Sequence, residues 1–547
     1  MKYALTLIFS LYIAFQPTMA TKVRPTKNLI VMIPDGASLS VLSAARWLKT
    51  YRGEGTTLNV DPYLCGTVTT FSSNAPIGDS APTTSCFMTG IAQQAGNVSI
   101  YPVSDKENDL VKLNPDSAYQ PLVTIPEAMQ TEQKKAAGLV VTCEFPHATP
   151  ADCSSHTYNR TDYKSIAPQM AYSNLEVMFG GGTSFVSDDM KMHFKNTGTT
   201  LIENDKQAML NFSGKKVWAL YGKKELPYDI DRDTTKLPSL AQMTSKAIEV
   251  LQKNKNGFFL MVEGSKIDWA AHANDPIAIM TEFLAFDKAV GVAIEYAGRM
   301  GNTTVIILPD HGNSGFSIGR NNMKRSYTKM TLKDLFGSVS NYKHTSEGLE
   351  IILKNTHPDS VKTVFKQNTG IDLTNDELNL LLDSKNNKAG NYMEASKSKT
   401  MANYITTFMN DRSTFGYTTG GHTGEEVFLA AYHPKGDIPI GNIRNKGIND
   451  YLFKVTGLKT SLQKQTAALY AKHTNIFGGM DYKISTEKDK MPTLTVKKGN
   501  KTLVITANSS VAILNGKSFD TGSLAVYIDK NYTFYLSEKL AEKINGK

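Results

Sequence analysis

Residues 28–36 read NLIVMIPDG: the apolar run Leu29 to Ile33 halts abruptly at Pro34, Asp35 and Gly36. The run is too short for a helix and shows no alternation, so it reads as a strand buried on both faces, as in a parallel sheet. The pattern recurs along the chain. Ala137 to Thr142 (AGLVVT) leads into Cys143-Glu144, Phe258 to Val262 (FFLMV) stops at Glu263-Gly264, and Thr303 to Leu308 (TTVIIL) stops at Pro309-Asp310-His311. Val427 to Tyr432 (VFLAAY) follows Gly421-His422. Helical patterns over Gln242 to Asn254 and Asp275 to Ala297 lie between these runs. Alternating strands and helices predict an α/β fold, a three-layer α/β/α sandwich around a mostly parallel central sheet. Ligands of such sheets gather at the carboxyl ends of the strands, where the acids and histidines fall.

Two regions stand outside this rhythm. Gly312 to Gly420 is rich in Lys, Asn and Ser, with short helical patterns such as Asp376 to Leu382, and 321–415 reads as a large inserted cap. From 485 to 547 the period becomes two (Leu494, Val496; Leu503, Ile505; Val526, Ile528), with hairpin turns at Gly499-Asn500 and Asn515-Gly516. That tail reads as a small antiparallel β-rich extension of a core spanning 21–484.

The 547 residues carry 41% hydrophobic and 20% charged side chains, enough for a sizeable core. Beyond the N-terminus no stretch approaches the roughly 20 apolar residues of a membrane span, which excludes a polytopic membrane protein. Collagen, a coiled-coil rod and a small disulfide scaffold are excluded by composition and by the count of 4 Cys. The net charge of +9 is dispersed along the chain, which is compatible with anionic substrates, weak nucleic-acid attraction or solubility alone and points to no specific nucleic acid. Residues 1–20 have a basic start (Lys2), a short apolar run (Ala4 to Phe15) and a small-residue site (Thr18-Met19-Ala20). This is the pattern of a cleaved signal peptide, predicting a periplasmic or secreted chain without a stable membrane anchor. In an oxidising compartment Cys65, Cys86, Cys143 and Cys153 permit one or two disulfides, and none has a C-x-x-C metal spacing.

Asp268 and His272, four apart in IDWAAHAND, share one helical face and can reach one ion. Taken singly, that pair is also consistent with a surface ion pair, and Asp35 or Asp310 with a helix cap. Together, Asp35, Glu263, Asp268 with His272, Asp310 with His311, and His422 in GGHTG converge on one expected edge. Carboxylates so crowded repel one another unless cations lie among them, and mixed carboxylate–imidazole sets suit zinc. In Gly78-Asp79-Ser80-Ala81-Pro82-Thr83-Thr84-Ser85, Pro82 suits a first helical turn. Ser80 then stands where free amides stabilise an anion, either as a nucleophile or, like Asp79, as an N-cap.

DSAPTTS…TG resembles the nucleophile segment of the alkaline phosphatases. IPDG, EFPHATPADCSSHTYNR, FFLMVEGSKIDWAAH, LPDH and GGHTG resemble that family's other motifs and fall in its order. The resemblance covers roughly Lys27 to Arg320 and Gly416 to Pro434. It implies a metal-dependent phosphomonoesterase in which Ser80 becomes phosphorylated and Arg160 clamps the phosphate. It implies two zinc ions, one held by Asp268, His272 and His422, the other by Asp35, Asp310 and His311 and touching Ser80. Asp35, Thr149 and Glu263 would hold a third ion, usually magnesium, and a homodimer is the family's usual assembly. In the better-known bacterial type an Asp stands at the place of His147 and a Lys at that of Trp269. His147 shifts the third site toward zinc or cobalt, and Trp269 removes a cation from the phosphate pocket. Weaker phosphate holding and a strong response to added metal are expected. A sulfatase would need an Arg where Thr84 stands. A phosphodiesterase or nuclease of the same superfamily shares the metals but usually lacks a clamp like Arg160.

Overall fold

The computed structural model describes residues 23–321, 323, 325–388 and 390–545, so the signal-peptide reading of 1–20 lies outside the described residues. Ten strands form the central sheet: β1 (Asn28–Ile33), β2 (Leu64–Thr69), β3 (Ala136–Glu144), β4 (Val177–Gly181), β5 (Thr200–Glu203), β6 (Val217–Tyr221), β7 (Phe258–Glu263), β8 (Thr303–Ile307), β9 (Val427–Tyr432) and β10 (Gly441–Arg444). Their order is β10-β2-β9-β8-β1-β7-β3-β4-β6-β5. Every neighbouring pair is parallel except those of β9, which runs against both β2 and β8.

The continuous apolar runs have the cause expected of them. Along β1, Ile30 and Met32 enter one apolar cluster while Leu29, Val31 and Ile33 enter the other, all at most 1% exposed. Full burial of each such side chain is worth about 1.5–3 kcal/mol. Helix α1 (Leu39–Tyr51) covers the first face and α2 (Ser80–Thr89) the second. Helix α3 (Leu240–Leu251), opened by a Ser239–Gln242 capping box, packs on the first face. The short α4 (Lys266–His272) follows β7, and the 25-residue α5 (Pro276–Met300) returns along the first face. The Asp275 carboxylate accepts from the amide of Ala278 at the start of α5, and Gly301 ends it at φ +63°.

Register brings the strand ends together. Ile33 of β1 is opposite Glu263 of β7, Met32 is opposite Ile307 of β8, and Val140 of β3 is opposite Val262. Asp35, Glu263 and Asp310 therefore emerge at one edge, with His147 just beyond β3. Between β8 and β9 the chain makes a long, mainly helical excursion, including Leu332–Ser340, Ser346–Lys354 and Met401–Asp411. Two small antiparallel ladders zip its base, Ser317–Ile318 with Phe415–Gly416 and Gly312–Asn313 with His422–Thr423.

The C-terminal region forms a seven-stranded antiparallel sheet, which includes Ala471–Lys472 as well as strands from Asp481 to Leu536. Leu494 pairs with Ile505 and Val496 with Leu503, all buried. Asn515 and Gly516 both take positive φ in the two-residue turn between Leu514 and Lys517. Leu524, Val526 and Ile528 join the second core cluster, so the tail docks on that face. All four cysteines are free thiols, and the disulfides that their even number permitted are not formed.

Candidate metal centre and active site

Asp35 leaves β1 fully buried, and the next residue explains the close packing there. Gly36 has φ +65°, and a Cβ on it would lie 2.5 Å from Asp268 Oδ1. Its amide donates to Asp310 Oδ1 at 3.1 Å. Helix α4 carries Asp268 and His272 on one face, as their spacing predicts, with His272 Nε2 3.4 Å from Asp268 Oδ2. The ladder at the base of the excursion brings in His422, whose Nε2 lies 3.6 Å from Asp268 Oδ1. His311 and His422 are stacked, with ring centroids 3.7 Å apart. His311 Nε2 lies 3.4 Å from Asp35 Oδ1 and 3.6 Å from Asp310 Oδ2. Its ligand atoms fall within 4.8 Å of two groups, Asp35 with Asp310 and Asp268 with His422, so it stands between the two expected cation positions.

The histidine tautomers follow from their outer partners. Nδ1 of His272, His311 and His422 faces the carbonyl oxygens of Gly420, Gly312 and Gly78 at 2.8, 3.1 and 3.0 Å. A carbonyl only accepts, so each Nδ1 carries a proton, and Nε2 is the nitrogen that each ring turns inward. His272 Nε2 and His422 Nε2 sit 3.2 Å apart, and as bare nitrogens, the form in which an imidazole ligates a cation, they cannot bond each other. Burial and the charge of His311 push His422 down to about 4, so it is neutral.

The carboxylates pose the same problem. Both oxygens of Asp35, Oδ2 of Asp310 and Oε1 of Glu263 are buried without hydrogen-bond partners, as is Thr149 Oγ1. Burial and the charge of Asp310 raise both Asp35 and Glu263, Glu263 to about 8. Burial would raise Asp268 too, but the neighbouring imidazoles hold it below the usual carboxylate range. Unpartnered oxygens and inward lone pairs in one closed cluster are a donor set that divalent cations fit. Around the third expected site, Glu263, His147 and Cys143 offer ligand atoms within 4.8 Å of one another. His147 Nδ1 is buried and unpartnered.

Ser80 is the first residue of α2, 1% exposed, with Oγ 3.2 Å from His311 Nε2. Asp79 occupies the N-cap position, but its carboxylate makes no capping bond and pairs with Arg160 instead, which sets aside the simple cap reading. Burial opposes this ionisation, but the Arg160 charge holds Asp79 well below the usual carboxylate range. The Arg160 guanidinium also reaches Tyr392 Oη at 3.4 Å and His147 Nε2 at 3.5 Å. Trp269 stacks on Tyr392, centroids 4.5 Å apart and planes at 17°.

All the residues singled out from the sequence therefore gather at one end of the central sheet: the metal-ligand candidates, Ser80, Arg160, His147 and Trp269. Three further participants were not foreseen. Asn313 Nδ2 donates to Asp268 Oδ1 at 2.6 Å. Cys143 is the penultimate residue of β3, beside the strand β7 that ends on Glu263, and that place at the strand end was its available signal. Tyr392 sits in the Lys- and Asn-rich excursion, where no local pattern marks it.

A family model described as alkaline phosphatase matches residues 26–458. Alkaline phosphatase 3 of Bacillus subtilis is 33% identical over 447 residues, spanning 78% of this chain and 88% of that one. The repressible alkaline phosphatase of Saccharomyces cerevisiae is 26% identical over 468 residues, spanning 75% and 76%. Among solved structures, the cold-active alkaline phosphatase of a psychrophilic Shewanella sp. matches with a TM-score of 0.66 at 26% identity, over 78% of this chain and 99% of that one. The Thermus thermophilus alkaline phosphatase shares the fold with a TM-score of 0.68 at 23% identity, over 80% and 93%.

Proposed function

Because the chain belongs to the alkaline phosphatase family, as a metal-dependent hydrolase of phosphate monoesters, we propose that Ser80 is its nucleophile and Arg160 its phosphate clamp. In this reading Asp268, His272 and His422 hold one zinc ion. Asp35, Asp310 and His311 hold a second beside Ser80. Asp35, Thr149 and Glu263, with His147, hold a third ion, which is magnesium, zinc or cobalt. Bound there, divalent cations supply the Lewis-acid charge that favours ionised oxygen on the nucleophile, on water and on the departing group. The observation that carries the reading is Ser80 Oγ at the amino end of a ten-residue helix, 3.2 Å from His311 Nε2 among unpartnered carboxylate oxygens.

The chain's own groups then act in order. Arg160 directs its N–H groups at non-bridging phosphate oxygens, and the free amides of α2 favour the negative charge. Ser80 releases its proton to solvent and its Oγ bonds to phosphorus as the ester P–O bond breaks. The departing alkoxide takes a proton from water. Water next attacks the phosphoserine, orthophosphate leaves and Ser80 regains a proton. Asp79 holds the guanidinium plane before substrate arrives. We also place the protein in the periplasm or outside the cell. No helix of the described residues is long and apolar enough to cross a membrane.

The test compares p-nitrophenyl phosphate with bis-p-nitrophenyl phosphate and p-nitrophenyl sulfate, with and without chelator. Monoester turnover should dominate and fall at least about a thousandfold in Ser80→Ala. Undiminished turnover in that variant removes Ser80 from the mechanism, and preferred diester turnover favours a phosphodiesterase.

A further inference from the structure

Tyr392 opens a short 3-10 helix (Tyr392–Lys397) in the excursion, 245 residues beyond His147. Three contacts fix its position. Its ring lies flat on Trp269, its Oη is 3.0 Å from His147 Nε2, and the same Oη is 3.4 Å from an Arg160 nitrogen. His147 therefore presents Nε2 to Tyr392 and Arg160, while its buried Nδ1 has no partner. Glu263 and Cys143 offer ligand atoms within 4.8 Å of that ring, and Thr149 Oγ1, also unpartnered, lies two residues along the chain.

The chemistry of these groups decides which tautomer can take a cation. A ring nitrogen that ligates must be bare, so the ring's one proton must reside on the other nitrogen. Ligation through Nδ1 thus requires a proton on Nε2, and that proton needs an acceptor. Arg160 offers only donors. Among the described residues, the Tyr392 hydroxyl is the remaining hydrogen-bonding neighbour of Nε2. It can accept from both Nε2–H and Arg160, since its oxygen has two lone pairs.

We propose that Tyr392 is a positioning residue of the third cation site: its hydroxyl accepts the Nε2 proton of His147 and so keeps the Nδ1 lone pair turned toward Glu263, Thr149 and Cys143. The excursion thereby sets the affinity of a site whose ligands all lie in the core. This inference rests on the assignment of His147 to that site. Loss of such an outer hydrogen bond typically lowers metal affinity about 10–100-fold. In Tyr392→Phe the ring keeps its stack on Trp269, but a protonated Nε2 would face guanidinium donors alone.

The experiment uses full-length protein stripped of metal, refilled with two equivalents of Zn2+ and titrated calorimetrically with Mg2+ and separately with further Zn2+. Tyr392→Phe and His147→Ala should each weaken the third equivalent, the former by about 10–100-fold, with the first two unchanged. A normal third equivalent in His147→Ala overturns the site assignment itself. Loss in His147→Ala with wild-type affinity in Tyr392→Phe overturns the role of Tyr392 alone. Nitrogen-15 shifts of the His147 ring in the wild-type protein provide a measurement independent of any variant. They should show a protonated Nε2 with the third cation bound, and a protonated Nδ1 there refutes the proposal.

Discussion

Glu282 offers a test of the electrostatics that hold the excursion to the core. It lies in α5, 4% exposed, and accepts the backbone N–H of Asp229. Asp229 opens the turn Asp229–Asp231, and Asp231 in turn accepts from His344 Nδ1 at 2.9 Å and the Thr345 amide at 3.3 Å. Thr345 caps the helix Ser346–Lys354, so Glu282 anchors one foot of the excursion. Burial, reinforced by the charge of Asp229, pushes Glu282 from 4.5 to about 8. The folded chain therefore keeps a proton that the unfolded chain loses near 4.5. The stability associated with it is full below pH 4.5, declines as pH rises and is gone above pH 8. The gap corresponds to roughly 5 kcal/mol. Glu282→Gln retains the acceptor oxygen and abolishes the titration, while its new amide N–H2 costs about 1–3 kcal/mol at any pH. The variant should thus be less stable than wild type by about 1–3 kcal/mol at pH 4.5, and more stable by about 2–4 kcal/mol at pH 9. Urea unfolding of both proteins at these two pH values, under identical metal conditions, measures the crossover. Parallel stability–pH curves would show that Glu282 is ionised in the folded protein and refute the reasoning.

Three further outcomes are expected. Gly36→Ala puts a Cβ 2.5 Å from Asp268 Oδ1 at a φ of +65°, so bound zinc and kcat/KM should both fall at least about tenfold. Full zinc content by elemental analysis would contradict this. Asn313→Ala removes the 2.6 Å donor to Asp268 Oδ1 and, if Asp268 holds a zinc ion with His272 and His422 as proposed, should weaken zinc binding there by about 10–100-fold in a competitive chelator titration. Wild-type affinity would show that Asn313 does not tune that site. Cys143→Ser replaces a soft donor beside His147 and Glu263 with a hard one, so the preference of the third site for zinc over magnesium should drop about tenfold or more. An unchanged preference in competition titrations would place Cys143 outside the ligand sphere.

Much of the fold was legible because burial on both faces leaves a one-dimensional trace. The runs at Leu29, Phe258 and Thr303 announced strands without alternation, and each ended at a polar residue that register then placed at one edge. Strand direction was less legible. Val427 to Tyr432 reads like its parallel neighbours, yet runs antiparallel between β2 and β8, because a strand buried on both faces has the same composition in either direction.

The sequence by itself determined the layered α/β architecture, the family and most of the candidate oxygen and nitrogen donors, because apolar periodicity and ligand chemistry are local properties of residues. Only the tertiary structure decided how the donors are shared. It put His311 between the two proposed cation positions, turned three imidazoles inward through carbonyls of Gly78, Gly312 and Gly420, and drew Tyr392 from the excursion onto Trp269 and His147. Those contacts join residues up to 344 positions apart. Each depends on which lone pair faces which proton in space, and chain order carries no record of that.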